Sequence, residues 1–221
     1  FSQCTALKKL TIPKSVTSIG ENAFYNCSGL IKLTYTDSIT SIGARAFYNC
    51  TALADFTFPS NVTVISDSVL YGCTNMTSVT LPEGMTELGD SAFANCKNLL
   101  SVTIPEGTES IGSRAFSNCT RLSDITIPDS VTSIGESAFS GTAWLTAQRA
   151  ENPLVIIGTT LIDGAACTGD VVIPDEITVI GGGAFSGCTA LTGITISEQV
   201  TEIGDNAFAS CTSLSEVTIP E

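Results

Sequence analysis

Nine cysteines are the residues of this 221-residue chain best equipped for chemistry. Cys4, Cys27, Cys50, Cys73, Cys96 and Cys119 recur every 23 residues, as do Cys188 and Cys211, while Cys167 falls two places beyond the expected Ala165. A thiolate can serve as nucleophile, metal ligand or disulfide partner. The spacing favours none of these roles. No closely spaced cysteine pair of the zinc-site kind occurs, and the chain contains no histidine. An odd number cannot all pair. Neighbouring coils of a repeat would bring equivalent Cα atoms within disulfide range but leave their Cβ vectors parallel, a poor geometry for a bridge. The leading reading is a column of buried free thiols acting as small apolar groups, with a disulfide or metal role behind it.

Other catalytic signals are absent too. Without histidine there is no Ser–His or Cys–His nucleophilic pair. No nucleophile elbow, phosphate loop or calcium loop appears. The neighbouring carboxylates Asp175 and Glu176 are adjacent in sequence, where side chains tend to diverge. No catalytic residue, no metal, no cofactor and no enzymatic activity are expected.

The elements that position these cysteines follow from the same period. With Leu7 as position 1, steps of 23 land on Leu30, Leu53, Met76, Leu99, Leu122, Leu145, Thr168, Leu191 and Leu214, so that nine full units run from residue 7 to residue 213. The unit opens on a stretch such as "LKKLTIP", whose alternation predicts a short strand with one buried face. Proline at position 7 (Pro13, Pro59, Pro82, Pro105, Pro128, Pro174, Pro220) ends it, because proline cannot donate to a ladder. "VTSIG" predicts a second short strand closed by glycine. "AF..C" then predicts one helical or 3₁₀ turn that buries a ring beside a small residue. A single unit cannot bury its own apolar side, but stacked units can, with parallel strands about 4.8 Å apart. Leu at position 1, Ile at 6, Ile at 13 and Phe at 18 are the predicted core.

One unit is rewritten without change of length. Residues 142–167 read "TAWLTAQRAENPLVIIGTTLIDGAAC". "AWLTAQRAEN" is rich in helix formers and predicts a helix in place of the first strand, stopped by Pro153. "LVIIGTTLIDG" predicts a hairpin around Gly158, Thr159 and Thr160. This unit replaces cysteine by Thr142 and carries the only tryptophan, Trp144, together with Arg149.

The repeated "IPxSVTSIGxxAFxxC" resembles the 23-residue leucine-rich repeat of BspA-like bacterial surface proteins over nearly the whole chain. The resemblance implies a single repeat solenoid over residues 1–221, a right-handed curved stack with a parallel β-sheet on the concave face and short second strands and turns on the convex side. It implies a location outside the cell or at its surface, commonly within a longer modular chain, and association with host proteins or other cells. The chain, which opens and stops inside motifs, reads as a piece of such a protein.

Composition narrows the partner. A net charge of −13 argues against nucleic acid and anionic membrane surfaces. No stretch approaches the roughly 18 apolar residues of a membrane span. A hydrophobic content of 43% argues against disorder. The charge is lopsided: Lys8, Lys9, Lys14 and Lys32 lie near the start, whereas after Arg149 there is neither Lys nor Arg. The outward positions 3 and 5 of the first strands supply the candidate binding residues Lys9, Thr11, Lys32, Thr34, Asp55, Thr57, Ser78, Thr80, Ser101, Thr103, Asp124 and Thr126. Trp144 and Arg149 of the rewritten unit join them as residue types common at interfaces. A second threonine row (Thr17, Thr40, Thr63, Thr86, Thr132, Thr178, Thr201) occupies position 11. The expectation is a monomeric, non-catalytic adhesion or protein-interaction module for a host or neighbouring-cell protein. The competing expectation is a spacer with no ligand of its own. Solvated threonine rows are the plain account of both columns, and an ice-binding array the remote one.

Overall fold

The computed structural model describes residues 1–219, so Pro220, last of the proline row, lies outside the described residues. The chain packs as two compact units, Phe1–Ser133 with Ala138–Trp144, and Ile134–Ser137 with the residues from Leu145 onward. The division falls in the rewritten coil.

In the first unit each coil begins with a three-residue strand: Lys9–Thr11, Lys32–Thr34, Asp55–Thr57, Ser78–Thr80, Ser101–Thr103 and Asp124–Thr126. Pairing is parallel and in register, with Lys9 beside Lys32, Asp55 beside Ser78 and Ser101 beside Asp124. Two-residue second strands do the same: Ser18–Ile19 pairs with Ser41–Ile42, and Val64–Ile65 with Glu87–Leu88 and then Ser110–Ile111. In the second unit Gly169–Val172, Leu191–Thr195 and Glu216–Thr218 form the first-strand ladder, and Thr160–Asp163, Val179–Ile180 and Glu202–Ile203 the second. Both units are therefore stretches of parallel-strand β-solenoid with a step of 23 residues.

The core columns are those the period marks. Leu30, Leu53, Met76, Leu99 and Leu122 are fully or almost fully buried, as are Ile42, Ile65, Leu88 and Ile111. The rings of position 18 stack face to face, Phe1–Phe24–Phe47 at 5.5 and 5.2 Å and Phe93–Phe116–Phe139 at 5.4 and 5.8 Å. Leu70 interrupts this column. The same coil compensates with Phe56 and Phe58 at positions 4 and 6, whose rings bridge from Phe47 at 5.1 Å to Phe93 at 6.3 Å. Volume is moved within one coil, which a close-packed core requires. The glycine at position 14 serves close approach: a Cβ on Gly112 would lie 2.6 Å from the Asp90 backbone nitrogen.

The "AF..C" segment is neither helical nor 3₁₀, a correction to the sequence reading. It is a run of β-turns, with Ala23, Tyr25 and Cys27 N–H donating to Gly20, Asn22 and Phe24 carbonyls three residues back. The intervening N–H groups of Asn22, Phe24 and Asn26 point to the next coil's Ala44, Ala46 and Tyr48 carbonyls. A helix would direct every N–H along its own axis and leave the coils unlinked. Alternation requires a left-handed residue at every fourth place, and Asn22 (φ 56°) and Asn26 (φ 54°) supply it, asparagine being among the residues that tolerate that region.

The rewritten coil follows the sequence reading. A helix, α1 (Ala143–Glu151), takes the place of a first strand in this coil, and its Leu145, at position 1 of the period, is buried. Asn152 and Pro153 follow it, the Asn152 side chain accepting the Leu154 N–H at 3.0 Å. Val155–Ile157 and Thr160–Asp163 then pair antiparallel about Gly158 (φ 57°) and Thr159.

Candidate interaction surface

The first strands present positions 3 and 5 outward and position 4 inward, since side chains alternate along a strand. Lys9, Thr11, Lys32, Thr34, Asp55, Thr57, Ser78, Thr80, Ser101, Thr103, Asp124 and Thr126 are all exposed. Within the first unit the face changes sign along the stack, from Lys9 and Lys32 to Asp55 and Asp124. Lys9 and Lys32 are register partners, a like-charge pairing that costs stability and is compatible with a role outside the fold. In the second unit Asp170 and Glu216 flank Gly193, and Asp170 accepts the Thr192 hydroxyl at 2.7 Å.

The two threonine rows are not equivalent. At position 11, Thr40, Thr86, Thr132 and Thr201 hydroxyls donate to the carbonyl of the equivalent residue one coil back, at 3.3, 3.3, 3.5 and 3.2 Å. This row staples coil to coil. Among the described residues, no position 5 hydroxyl makes a hydrogen bond within the protein; Thr11, Thr34, Thr57, Thr80, Thr103 and Thr126 turn theirs to solvent.

The first-strand ladder has an open seam. Among the described residues, no backbone hydrogen bond joins residues 31–36 to residues 54–58. At other junctions the position 6 N–H donates to the position 5 carbonyl of the next coil, as Ile12 to Thr34 (2.8 Å), Phe58 to Thr80 (2.9 Å) and Ile104 to Thr126 (3.0 Å). Ser78–Thr80 and Ser101–Thr103 are not paired in this way either among the described residues, but there the Leu100 N–H still donates to the Thr77 carbonyl (3.3 Å). At the seam the hydroxyl of Tyr35 takes the Thr57 carbonyl instead. Tyr35 is too long to lie where isoleucine lies, and its phenol must reach a partner when half-buried. Burial, and then the Asp37 and Asp55 carboxylates, push that phenol's pKa upward, so it stays a donor. The seam is a cleft of about 580 Å³ between Lys32 and Asp55, with Tyr35, Phe56 and Phe58 among its walls. In the sequence its only trace is "TYTD" in place of "TIPD" at residues 34–37.

Trp144 and Arg149 are engaged within the protein. Trp144 is half-buried, its ring 5.0 Å from Phe139 and tilted by 55°, and its backbone N–H donates to the Leu122 carbonyl at 2.8 Å. Arg149 grips Asp163 with both ends of its fork, Nε to Oδ1 at 2.6 Å, and this pairing raises the guanidinium pKa further. Sequence reasoning had no signal for the Asp163 partner, because the pair forms only once the helix and hairpin fold together.

All nine cysteines are free, and seven are buried; Cys211 is half-buried and Cys4 exposed. Cys188 donates to the Cys167 carbonyl (3.0 Å), whereas in the first unit each thiol from Cys27 to Cys119 donates to the position 18 carbonyl of the preceding coil, as Cys50 to Phe24 (3.2 Å), Cys73 to Phe47 (3.3 Å), Cys96 to Leu70 (3.2 Å) and Cys119 to Phe93 (3.0 Å). The same carbonyls accept the N–H of their own coil's cysteine. Burial pushes Cys50 and Cys119 up to about 12, and Cys73 and Cys96 upward as well. A protonated thiol in an apolar column is neither nucleophile nor ligand. Among the described residues no group of three or more Cys, Asp or Glu side chains is arranged to hold a metal ion, and no helix is long and apolar enough to cross a membrane.

Comparison with known proteins places this architecture. The BspA type leucine rich repeat region matches residues 1–123, 86–167 and 156–221, in six copies. The chain belongs to this family. No curated protein matches the chain. Among solved structures, a leucine-rich repeat protein from Bacteroides ovatus is 28% identical over 98% of the chain, with a TM-score of 0.62. The chain spans 56% of the length of that protein. The leucine-rich repeat protein of T. pallidum is 32% identical over 65% of the chain and 67% of its own length, also at a TM-score of 0.62. One from Eubacterium ventriosum, at 22% identity and a TM-score of 0.54, covers all of the chain and 68% of its own length and shares the fold. The leucine-rich repeats of the BspA type therefore account for the coil, its period and its parallel ladders.

Proposed function

We propose that this BspA-type repeat chain is a non-catalytic protein-interaction module, working outside the cell or at its surface and gripping a protein of a host or neighbouring cell through its first-strand face. The observation that carries the reading is the contrast between the two threonine rows. One is consumed in stapling coils together, while the other offers its hydroxyls outward beside side chains of varied charge. A fixed frame with variable, unengaged side chains is what a binding face needs. The lysine end at Lys9 and Lys32 steers an acidic patch of the partner, and the acidic residues from Asp55 onward meet its basic rim. The seam between Lys32 and Asp55 gives this face a recess suited to an anchoring side chain. Trp144 and Arg149, held within the fold, lie outside the proposed surface.

The test is capture of immobilised matrix proteins by the chain and by a Lys9→Glu/Lys32→Glu variant of unchanged melting temperature. The reading expects capture of at least one, weakened in the variant and by added salt. A spacer would capture none, and binding insensitive to these changes would place the contact elsewhere.

A further inference from the structure

A second surface, away from the first strands, carries its own pattern. Position 19 lies on the turn side of each coil, and most coils place a small residue there: Ser2, Ala94, Ser117, Ser140, Ser186 and Ala209. Three successive coils carry tyrosine instead. Tyr25, Tyr48 and Tyr71 stack face to face, with centroids 5.0 and 4.5 Å apart and planes within 17° and 4°. Core packing does not require them, since the coils with alanine or serine fold alike. The stack forms one wall of a groove of about 630 Å³ whose other lining includes Gln3, Asn22 and Arg45.

The lining has three properties that select a ligand. It contains no carboxylate, although the chain has a net charge of −13. Its one charged group is the exposed guanidinium of Arg45, a planar fork suited to a carboxylate. The remaining polar groups are phenols, amides and hydroxyls of side chains, arranged one coil apart. Backbone recognition is closed off, because the N–H groups of Asn22, Phe24 and Asn26 are already taken by the next coil. An extended peptide, which docks chiefly through main-chain hydrogen bonds, therefore finds no edge here. The last ring, Tyr71, is followed in its column by Ala94, so no side chain of ring size stacks on it from that side. Burial and then Tyr71 raise the Tyr48 phenol, which keeps its proton to donate.

We propose that the groove beside Tyr25, Tyr48 and Tyr71 binds an acidic oligosaccharide running along the stack, with Arg45 on a sugar carboxylate and the tyrosines and amides on its hydroxyls. The glycan site and the first-strand face are separate surfaces and are lost by separate substitutions.

Titration calorimetry of the whole chain with 1,4-linked oligogalacturonate, and with a neutral 1,4-linked glucose oligomer of equal length, tests this. The expected result is binding of the acidic oligomer in preference to the neutral one. Arg45→Gln should weaken it by about tenfold or more, the scale of one charge-assisted pair. Tyr25→Ser/Tyr48→Ser/Tyr71→Ser, which installs the residue other coils carry and so preserves folding, should abolish it. Lys9→Gln/Lys32→Gln should leave it unchanged. The proposal is overturned if no heat is seen with the acidic oligomer, if the triple serine variant binds it as well, if the lysine variant loses it, or if polyglutamate binds as tightly.

Discussion

The thiol column makes stability depend on alkaline pH in a calculable way. Cys50, Cys73, Cys96 and Cys119 are each fully buried. A cysteine of the unfolded chain ionises near its ordinary value of 9.0, whereas burial holds Cys50 and Cys119 protonated to about 12. Below pH 9 both states carry the proton and the column contributes no pH dependence. Between pH 9 and about 12 the unfolded chain binds fewer protons than the folded one, so stability falls as pH rises. From pH 8 to pH 10 the loss is roughly 1–2 kcal/mol per buried thiol, or on the order of 5 kcal/mol for the four. That is comparable with the whole stability of many domains. Other groups titrate in the same range, so the informative quantity is a difference between variants. Urea denaturation at pH 8 and pH 10 should show Cys96→Ala less stable than wild type at pH 8, by about 1–3 kcal/mol for lost packing and the lost bond to the Leu70 carbonyl. Between the two pH values the variant should lose about 1 kcal/mol less than wild type, and Cys73→Ala/Cys96→Ala about twice that. If wild type and variants decline in parallel, these thiols ionise alike folded and unfolded, and the account of the column is wrong.

Replacing Tyr35 by Ile and Thr36 by Pro writes the ordinary coil into the seam; the ladder should close, adding about 1–2 kcal/mol from restored backbone bonds, and a lower denaturant midpoint would refute the origin assigned to the cleft. Arg149→Ala leaves the buried Asp163 without its partner and should cost about 2–4 kcal/mol, partly recovered by adding Asp163→Asn; urea midpoints that do not move would show the pair to be incidental. Phe116→Ala opens a hole in a stacked ring column and should cost about 3–5 kcal/mol by the same measurement, whereas Ser117→Ala beside it should change little.

What the sequence made legible was the part of the fold that repeats. Leucine, isoleucine and phenylalanine columns returning every 23 residues could only be buried together by stacking, and the replacement of "LTIP" by "AWLTAQRAEN" announced a helix because propensity and breaker residues act locally. The turn geometry of "AFYNC" was not legible. Whether the Asn22 N–H points along its own coil or to Ala44 depends on a partner 22 residues away. The threonine rows looked alike for the same reason, since Thr40 differs from Thr34 only in having a carbonyl within reach. Arg149 suggested an interface anchor by residue type, and only the folded hairpin brought Asp163 to its fork. Tyr35 was visible as an odd residue in the isoleucine column, but the opening it makes between two strands is a consequence of size meeting a close-packed ladder.

Spin labels on Thr103→Cys/Thr126→Cys, in a Cys4→Ser background whose remaining cysteines are mostly buried, measure the register of the stack on its outer face. In-register neighbours stand about 4.8 Å apart, so the doubly labelled chain should show strong dipolar broadening that neither singly labelled chain shows. Spectra equal to the sum of the two single labels would mean that residues 23 apart do not lie side by side, and the solenoid with its first-strand face would have to be abandoned.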